Sequence, residues 1–165
     1  MKSPARPHHI RPVHVVAAAL LILTCAAAAA QGTVLQGVAT VIDGDTLEIH
    51  GQRIRLHGID APESGQSCKD ASGIPYLCGQ RAALALADRV GRGTVTCRQQ
   101  DTDRYGRIVA VCHLGALDLG LWMVANGHAL SYRRYSTDYV EQEEFARHTR
   151  RGFWAGGFIA PWDWR

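Results

Sequence analysis

Residues 94–114 read TVTCRQQDTDRYGRIVAVCHL, two strand-like runs around a turn. Asp103 in first place and Gly106 in fourth give the residue pattern of a type I turn. Thr94–Gln100 and Ile108–Leu114 on either side carry the β-branched and apolar residues of paired strands. If Asp103 faces Gly106, Cys97 falls directly opposite Cys112. Opposed side chains on neighbouring strands lie about 4.5–5.5 Å apart at Cβ, close to what a disulfide requires.

A disulfide needs an oxidising compartment, and the N-terminus supplies one. Residues 1–14 are polar and basic, and Val15–Ala30 is an uncharged run that ends in small residues before Gln31. That is the anatomy of a secretory signal peptide, with cleavage expected after Ala30. An uncleaved anchor is the alternative, but sixteen residues are short for a bilayer core of about 30 Å. Lipidation at Cys25 is a further alternative, and Thr24 is a poor residue before a lipidated cysteine. Cleavage leaves four of the five cysteines, and pairing Cys97 with Cys112 leaves Cys68 for Cys78. Four reduced, buried thiols are the alternative; a zinc site is disfavoured because no C-x-x-C pair is present. The protein is expected to be secreted or periplasmic, with no stable membrane association after cleavage.

The 165 residues suffice for one ordinary domain, and 47% apolar with 20% charged residues excludes a disordered chain or a multi-span membrane protein. Removing Lys2, Arg6 and Arg11 from the 18 basic residues leaves 15, against 15 acidic ones. A neutral mature chain cannot coat nucleic acid non-specifically, so contact with phosphate must come from a few placed arginines. Three further strands are expected at Val34–Ile42, Thr46–His50 and Arg53–Ile59. In the last of these, Ile54 and Leu56 alternate with Arg53, Arg55 and His57, so the arginines share a face. Helices are expected at Gln80–Val90, from an Asp118 N-cap to about Gly127, and over Asp138–Arg151 with Glu141 in a capping-box start. The sum is a single α+β domain over residues 31–165, most economically a five-stranded barrel with about three packed helices.

Chemistry concentrates in three short stretches. VIDGDT at 41–46 could be only a hairpin turn around Asp43-Gly44-Asp45. IRLHGIDAPE at 54–63 puts Arg55 on a strand before Asp60 and Glu63, which flank a proline-stiffened turn. DRYGR at 103–107 could be only a surface turn. Together they offer oxygen donors for Ca²⁺, planar guanidinium forks for a phosphodiester and a carboxylate to activate water. Those are the ingredients of in-line attack on phosphorus.

V-I-D-G-D-T, R-L-x-G-I-D-A-P-E and D-R-Y-G-R, in this order and spacing, resemble the thermonuclease family of staphylococcal-nuclease-like domains. Glu144-x-Ala146-Arg147 and Gly152-x-Trp154 match as well, so the likeness runs from about Val34 to Trp154. It implies an oligonucleotide-binding-like (OB-like) barrel and a Ca²⁺-dependent endonuclease that cuts DNA and RNA with low sequence specificity, leaving 3′-phosphates. By position, Asp45 and Asp60 match calcium carboxylates, and Ala61 matches a residue that supplies a backbone carbonyl. The best-known members have Thr where this chain has Ala61. Asp43 and Thr46 match supporting positions behind the metal, Arg55 and Arg107 the phosphate-binding arginines, and Glu63 the general base. Tyr105 and Tyr135 lie where rings could contact substrate, although Tyr135 suits core packing equally well. The loop Ser64–Leu77 departs from the best-known member. His57 is expected to be structural or solvent-facing, and the tail Phe158–Arg165, with Trp162 and Trp164, to pack on the barrel. The protein is expected to act as a monomer. A non-catalytic nucleic-acid or protein-binding module on the same barrel is the competing reading, against which the five charged site residues stand.

Overall fold

The computed structural model describes residues 32–165; the expected signal segment 1–30 and its Cys25 lie outside the described residues. The chain forms β1 (Val34–Val38), β2 (Thr40–Val41), β3 (Thr46–Ile49), β4 (Gln52–Leu56), β5 (Ile59–Asp60), β6 (Ser67–Lys69) and β7 (Pro75–Leu77). Helix α1 (Cys78–Val90), β8 (Thr94–Thr102), β9 (Ile108–Leu114) and β10 (Leu117–Asp118) follow. Then come α2 (Leu119–Ala125), β11 (Leu130–Ser131), α3 (Val140–His148), a 3₁₀ turn (Gly152–Ala155) and α4 (Pro161–Trp164).

The main sheet runs β1-β8-β9-β4-β3-β2, with β10 beside β9. Only Ala39 separates β1 from β2, so one bent stretch pairs with β8 at one end and β3 at the other. The sheet thereby curls back on itself as the OB-like barrel of five long strands. Its interior takes Leu47, Ile49, Ile54, Leu56, Val95 and Ala110, and Leu86 of α1 and Met123 of α2 join the same core. Arg53–Ile59 does not continue as one strand: it stops at Leu56, because Gly58 turns the chain with φ +71°. The two-residue β5 beyond it pairs with β11.

The hairpin places Cys97 opposite Cys112 and joins them by a disulfide, but by a different route from the one the turn pattern suggests. Gly106 N–H donates to the Asp103 carbonyl as expected, yet the strands close one residue later, where Asp103 N–H meets the Arg107 carbonyl. A bulge between Gln99 and Asp101 absorbs that extra residue and restores the register at the cysteines. The second disulfide joins Cys68 to Cys78 and ties the β6–β7 ribbon to the start of α1. Residues 64–77 are therefore a stapled ribbon rather than a bare loop. Phe153 and Leu130 share a small second core with both cysteines, Trp154 and Phe158.

Helix α2 begins as expected, with Asp118 accepting the Leu121 N–H and with Leu119 and Met123 buried. Helix α3 is shorter than the expected Asp138–Arg151, and no capping box forms. Tyr139 takes the cap position because its ring is buried against Gly120 and its hydroxyl donates to Asp118. No helix among the described residues is long and apolar enough to cross a membrane.

Candidate active site

The turn between β2 and β3 carries Asp43, Gly44 and Asp45, closed by the Ile42 N–H on the Thr46 carbonyl. Asp43 accepts the backbone N–H of Asp45 and so fixes the turn. Gly44 is required by proximity: a Cβ there would lie 2.7 Å from that of Ala61 and 2.9 Å from that of Ala82. This close approach buries Asp45, whose Oδ1 accepts from the Thr46 hydroxyl and whose Oδ2 accepts from the Ala61 N–H. Burial pushes the Asp45 carboxyl up to about 7, against the pull of the Arg55 guanidinium.

Arg55 stands on β4 directly beside Thr46 of β3. Its Nη2 lies 2.6 Å from Asp60 Oδ1 and 3.0 Å from Asp45 Oδ2, bridging the two carboxylates. Burial opposes the charge on Arg55, but the two carboxylates outweigh it and raise its pKa. Asp60 is fully buried on β5, and Glu63, past Pro62, is about two-fifths exposed.

Arg107 approaches the site from the strand next to β4. β9 runs parallel to β4, with Ile54 opposite Ile108 and Arg55 opposite Val109, so Arg107 follows Arg55 on the same face of the sheet. Asp103 holds it there, taking its Nε at 2.7 Å and its backbone N–H at 2.9 Å. Tyr105 projects from the turn, more than half exposed, with the Arg107 guanidinium 5.6 Å from its ring centroid. Tyr135 is also exposed, which removes core packing as its role; its ring meets Tyr132 edge-on.

One cavity of about 660 Å³ gathers these residues. Asp43, Asp45, Arg55, Ala61, Glu63, Tyr105, Arg107 and Tyr135 all line it, with Asp60 beneath and Thr46 behind Asp45. His57 also lines it, and its Nε2 faces Asp138 at 3.7 Å. The disulfide Cys97–Cys112 sits in the barrel core, away from the cavity.

Three contributors escaped the sequence reading. Gln66 is fully buried and accepts the Glu63 N–H while donating to the Ile159 carbonyl, so it ties the Glu63 turn to the tail. Asp103 is an aligner of Arg107 as well as a turn former. Arg165 reaches Asp60 Oδ2 at 2.5 Å and Glu63 Oε1 at 2.7 Å. A polar residue three positions after a site carboxylate hinted at Gln66; no local signal marks Arg165.

Among the described residues no three His, Cys, Asp or Glu side chains form a ready-made metal cluster. The donor set nonetheless has the chemistry of a hard cation site. Asp45 and Asp60 are carboxylates close enough to share one guanidinium. Ca²⁺ fits that set once Arg165 releases Asp60 Oδ2.

The chain belongs to the staphylococcal nuclease family: the family described as "Staphylococcal nuclease homologue" matches residues 53–156. It is 34% identical over 146 residues to the "Micrococcal nuclease" of Shigella flexneri, covering 78% of each chain. It is 32% identical to the "Uncharacterized endonuclease" of Haemophilus influenzae, over 88% of this chain and 81% of that protein. It is also 37% identical to the "Succinoglycan biosynthesis protein ExoI" of Rhizobium meliloti, over 87% of this chain and 75% of that one.

Proposed function

We propose that this member of the nuclease family is an exported, Ca²⁺-dependent endonuclease that hydrolyses DNA and RNA with low sequence specificity and leaves 3′-phosphates. One observation carries the reading: a single cavity combines two carboxylates bridged by Arg55, a second arginine aligned by Asp103, and a half-exposed Glu63. Asp45, Asp60 and the Ala61 carbonyl would hold the ion. Bound there, Ca²⁺ would neutralise a non-bridging phosphate oxygen and make the phosphorus more electrophilic.

The chain's own groups account for the rest. Both contacts of Arg55 with the carboxylates use Nη2, so its guanidinium can keep them and still present other N–H groups to the phosphate. Arg107 presents a second fork from the adjacent strand, stabilising charge that grows on the equatorial oxygens. Glu63 takes a proton from the attacking water as the water oxygen bonds to phosphorus and the P–O5′ bond breaks. The departing O5′ takes up a proton from solvent, giving a 5′-hydroxyl and a 3′-phosphate. Tyr105 and Tyr135, exposed at the rim, offer faces on which bases of any sequence can stack.

Export rests on the leader at residues 1–30 and on two disulfides, which persist in oxidising compartments. The test is incubation of the purified protein with DNA and with RNA, in Ca²⁺ or in chelator, with end-group analysis of the fragments. Both polymers should be cut in Ca²⁺ alone and carry 3′-phosphates. Full activity in excess chelator would overturn the calcium role, and binding without cleavage would hand the site to the binding-module reading.

A further inference from the structure

The charge that faces Asp60 and Glu63 belongs to the tail of this chain. Arg165 donates from Nη2 to Asp60 Oδ2 at 2.5 Å, and from Nη1 to Asp60 Oδ1 at 3.3 Å and Glu63 Oε1 at 2.7 Å. Arg55 holds the same Asp60 Oδ1 from the other side, so both oxygens of this carboxylate face guanidiniums. An oxygen engaged in this way cannot bind a cation until the donor leaves. Arg55 is fixed on a strand, whereas Arg165 follows a four-residue helix.

The segment bearing Arg165 is anchored step by step. Gly157 exchanges two backbone hydrogen bonds with Lys69, and Gln66 donates to the Ile159 carbonyl. The Trp162 ring then lies flat on Tyr132, 5.4 Å between centroids and 4° from parallel. Trp162, Tyr132 and Arg165 all line the active-site cavity. The tail therefore lays an aromatic ring and a cation inside the cavity, the cation on a carboxylate that would hold the metal ion.

We infer that residues 161–165 are an intramolecular strap in which Arg165 competes with the divalent cation for Asp60, and that metal binding expels it. The inference rests on the proposed cation site and assigns that site a built-in competitor. Arg165 also pairs with Glu63 Oε1, so the strap occupies one metal carboxylate and one oxygen of the base at the same time.

The test is Ca²⁺ titration by calorimetry of the wild type, Arg165→Ala and Trp162→Ala, with amide NMR of residues 162–165 in the wild type. Arg165→Ala should bind Ca²⁺ about three- to fivefold more tightly, the upper part of the span that a partly exposed ion pair covers. Trp162→Ala keeps every charge but loosens the anchor, and should tighten binding in the same direction. Amide resonances of 162–165 should shift and sharpen as Ca²⁺ is added. Tightening in Arg165→Ala alone, with 162–165 unmoved, would reveal a static charge effect and overturn the strap. Equal affinity in all three proteins would overturn it too while leaving the cation site standing. No Ca²⁺ binding by any of them would remove the site itself and the strap with it.

Discussion

Arg55 and Arg107 share a face but not a burden. Arg55 bridges two buried carboxylates, so its removal is a folding problem as well as a chemical one. Arg107 is tied to the rim turn through Asp103, with more than a quarter of its side chain exposed. Lys keeps the charge and loses the planar fork. Arg107→Lys should lower kcat by about 10²-fold, the scale of one lost preorganised donor, with little change in Tm. Arg55→Lys should lower kcat at least as far and also lower stability by about 1.5–3 kcal/mol, as charge-assisted bonds to Asp45 and Asp60 are lost. Steady-state kinetics and calorimetry on the two variants check this; equal Tm values would refute the division. The motif residues were legible because acid and arginine types cluster within short stretches that a plain turn does not require. Arg165 was not: 105 positions separate it from Asp60, and nothing beside it in sequence marks a partner. The burial of Asp45 was hidden for a related reason. Asp45 is buried, and only the approach of Gly44 to Ala61 and Ala82 shows why.

The two disulfides belong to different elements and should fail differently. Cys97–Cys112 spans the β8–β9 hairpin inside the barrel core, with 15 positions between its ends. Replacing both by Ala should cost about 2–4 kcal/mol by freeing the unfolded chain, and leave kcat at low temperature close to wild type. Cys68–Cys78 holds the ribbon next to Gln66, whose side chain accepts the Glu63 N–H and whose carbonyl accepts the Cys78 N–H. Replacing that pair by Ser should lower kcat several-fold as well as Tm, because Glu63 loses its positioned backbone. Urea denaturation and kcat at 20 °C, measured on both double variants, separate the cases; a reversed pattern would sink the assignment. The hairpin was legible from its alternation and turn residues, but the correct cysteine register came from two deviations that cancel. The long strands announced themselves by period, whereas β5 and β11, two residues each, are too short to show one. Yet β5 carries Asp60.

At the scale of the molecule, the barrel is an instrument for bringing Arg107 beside Arg55, and the parallel pairing of β4 with β9 does it. That pairing joins segments about fifty positions apart, so no local pattern in either could disclose it. The resulting surface has a testable electrostatic signature. Residues 31–165 hold equal numbers of basic and acidic side chains, and the cavity mixes both signs. With Ca²⁺ bound and Arg165 released with the strap, substrate phosphates should therefore meet only the remaining arginines that line it: Arg55 and Arg107, with Arg104 and Arg134 at the rim. Each phosphate neutralised on a single strand contributes about −0.7 to the slope of log affinity against log salt. Two to four contacts then predict a slope of roughly −1.4 to −2.8. The measurement is fluorescence anisotropy of a labelled single strand with Glu63→Gln, at fixed Ca²⁺ and varied KCl. Glu63→Gln should bind without cutting, because Gln cannot take a proton from water. Adding Arg107→Ala should flatten the slope by about 0.7, one phosphate's worth. A slope steeper than about −5 would require a broad basic surface that this chain does not have, and would show that nucleic acid binds somewhere other than the cavity.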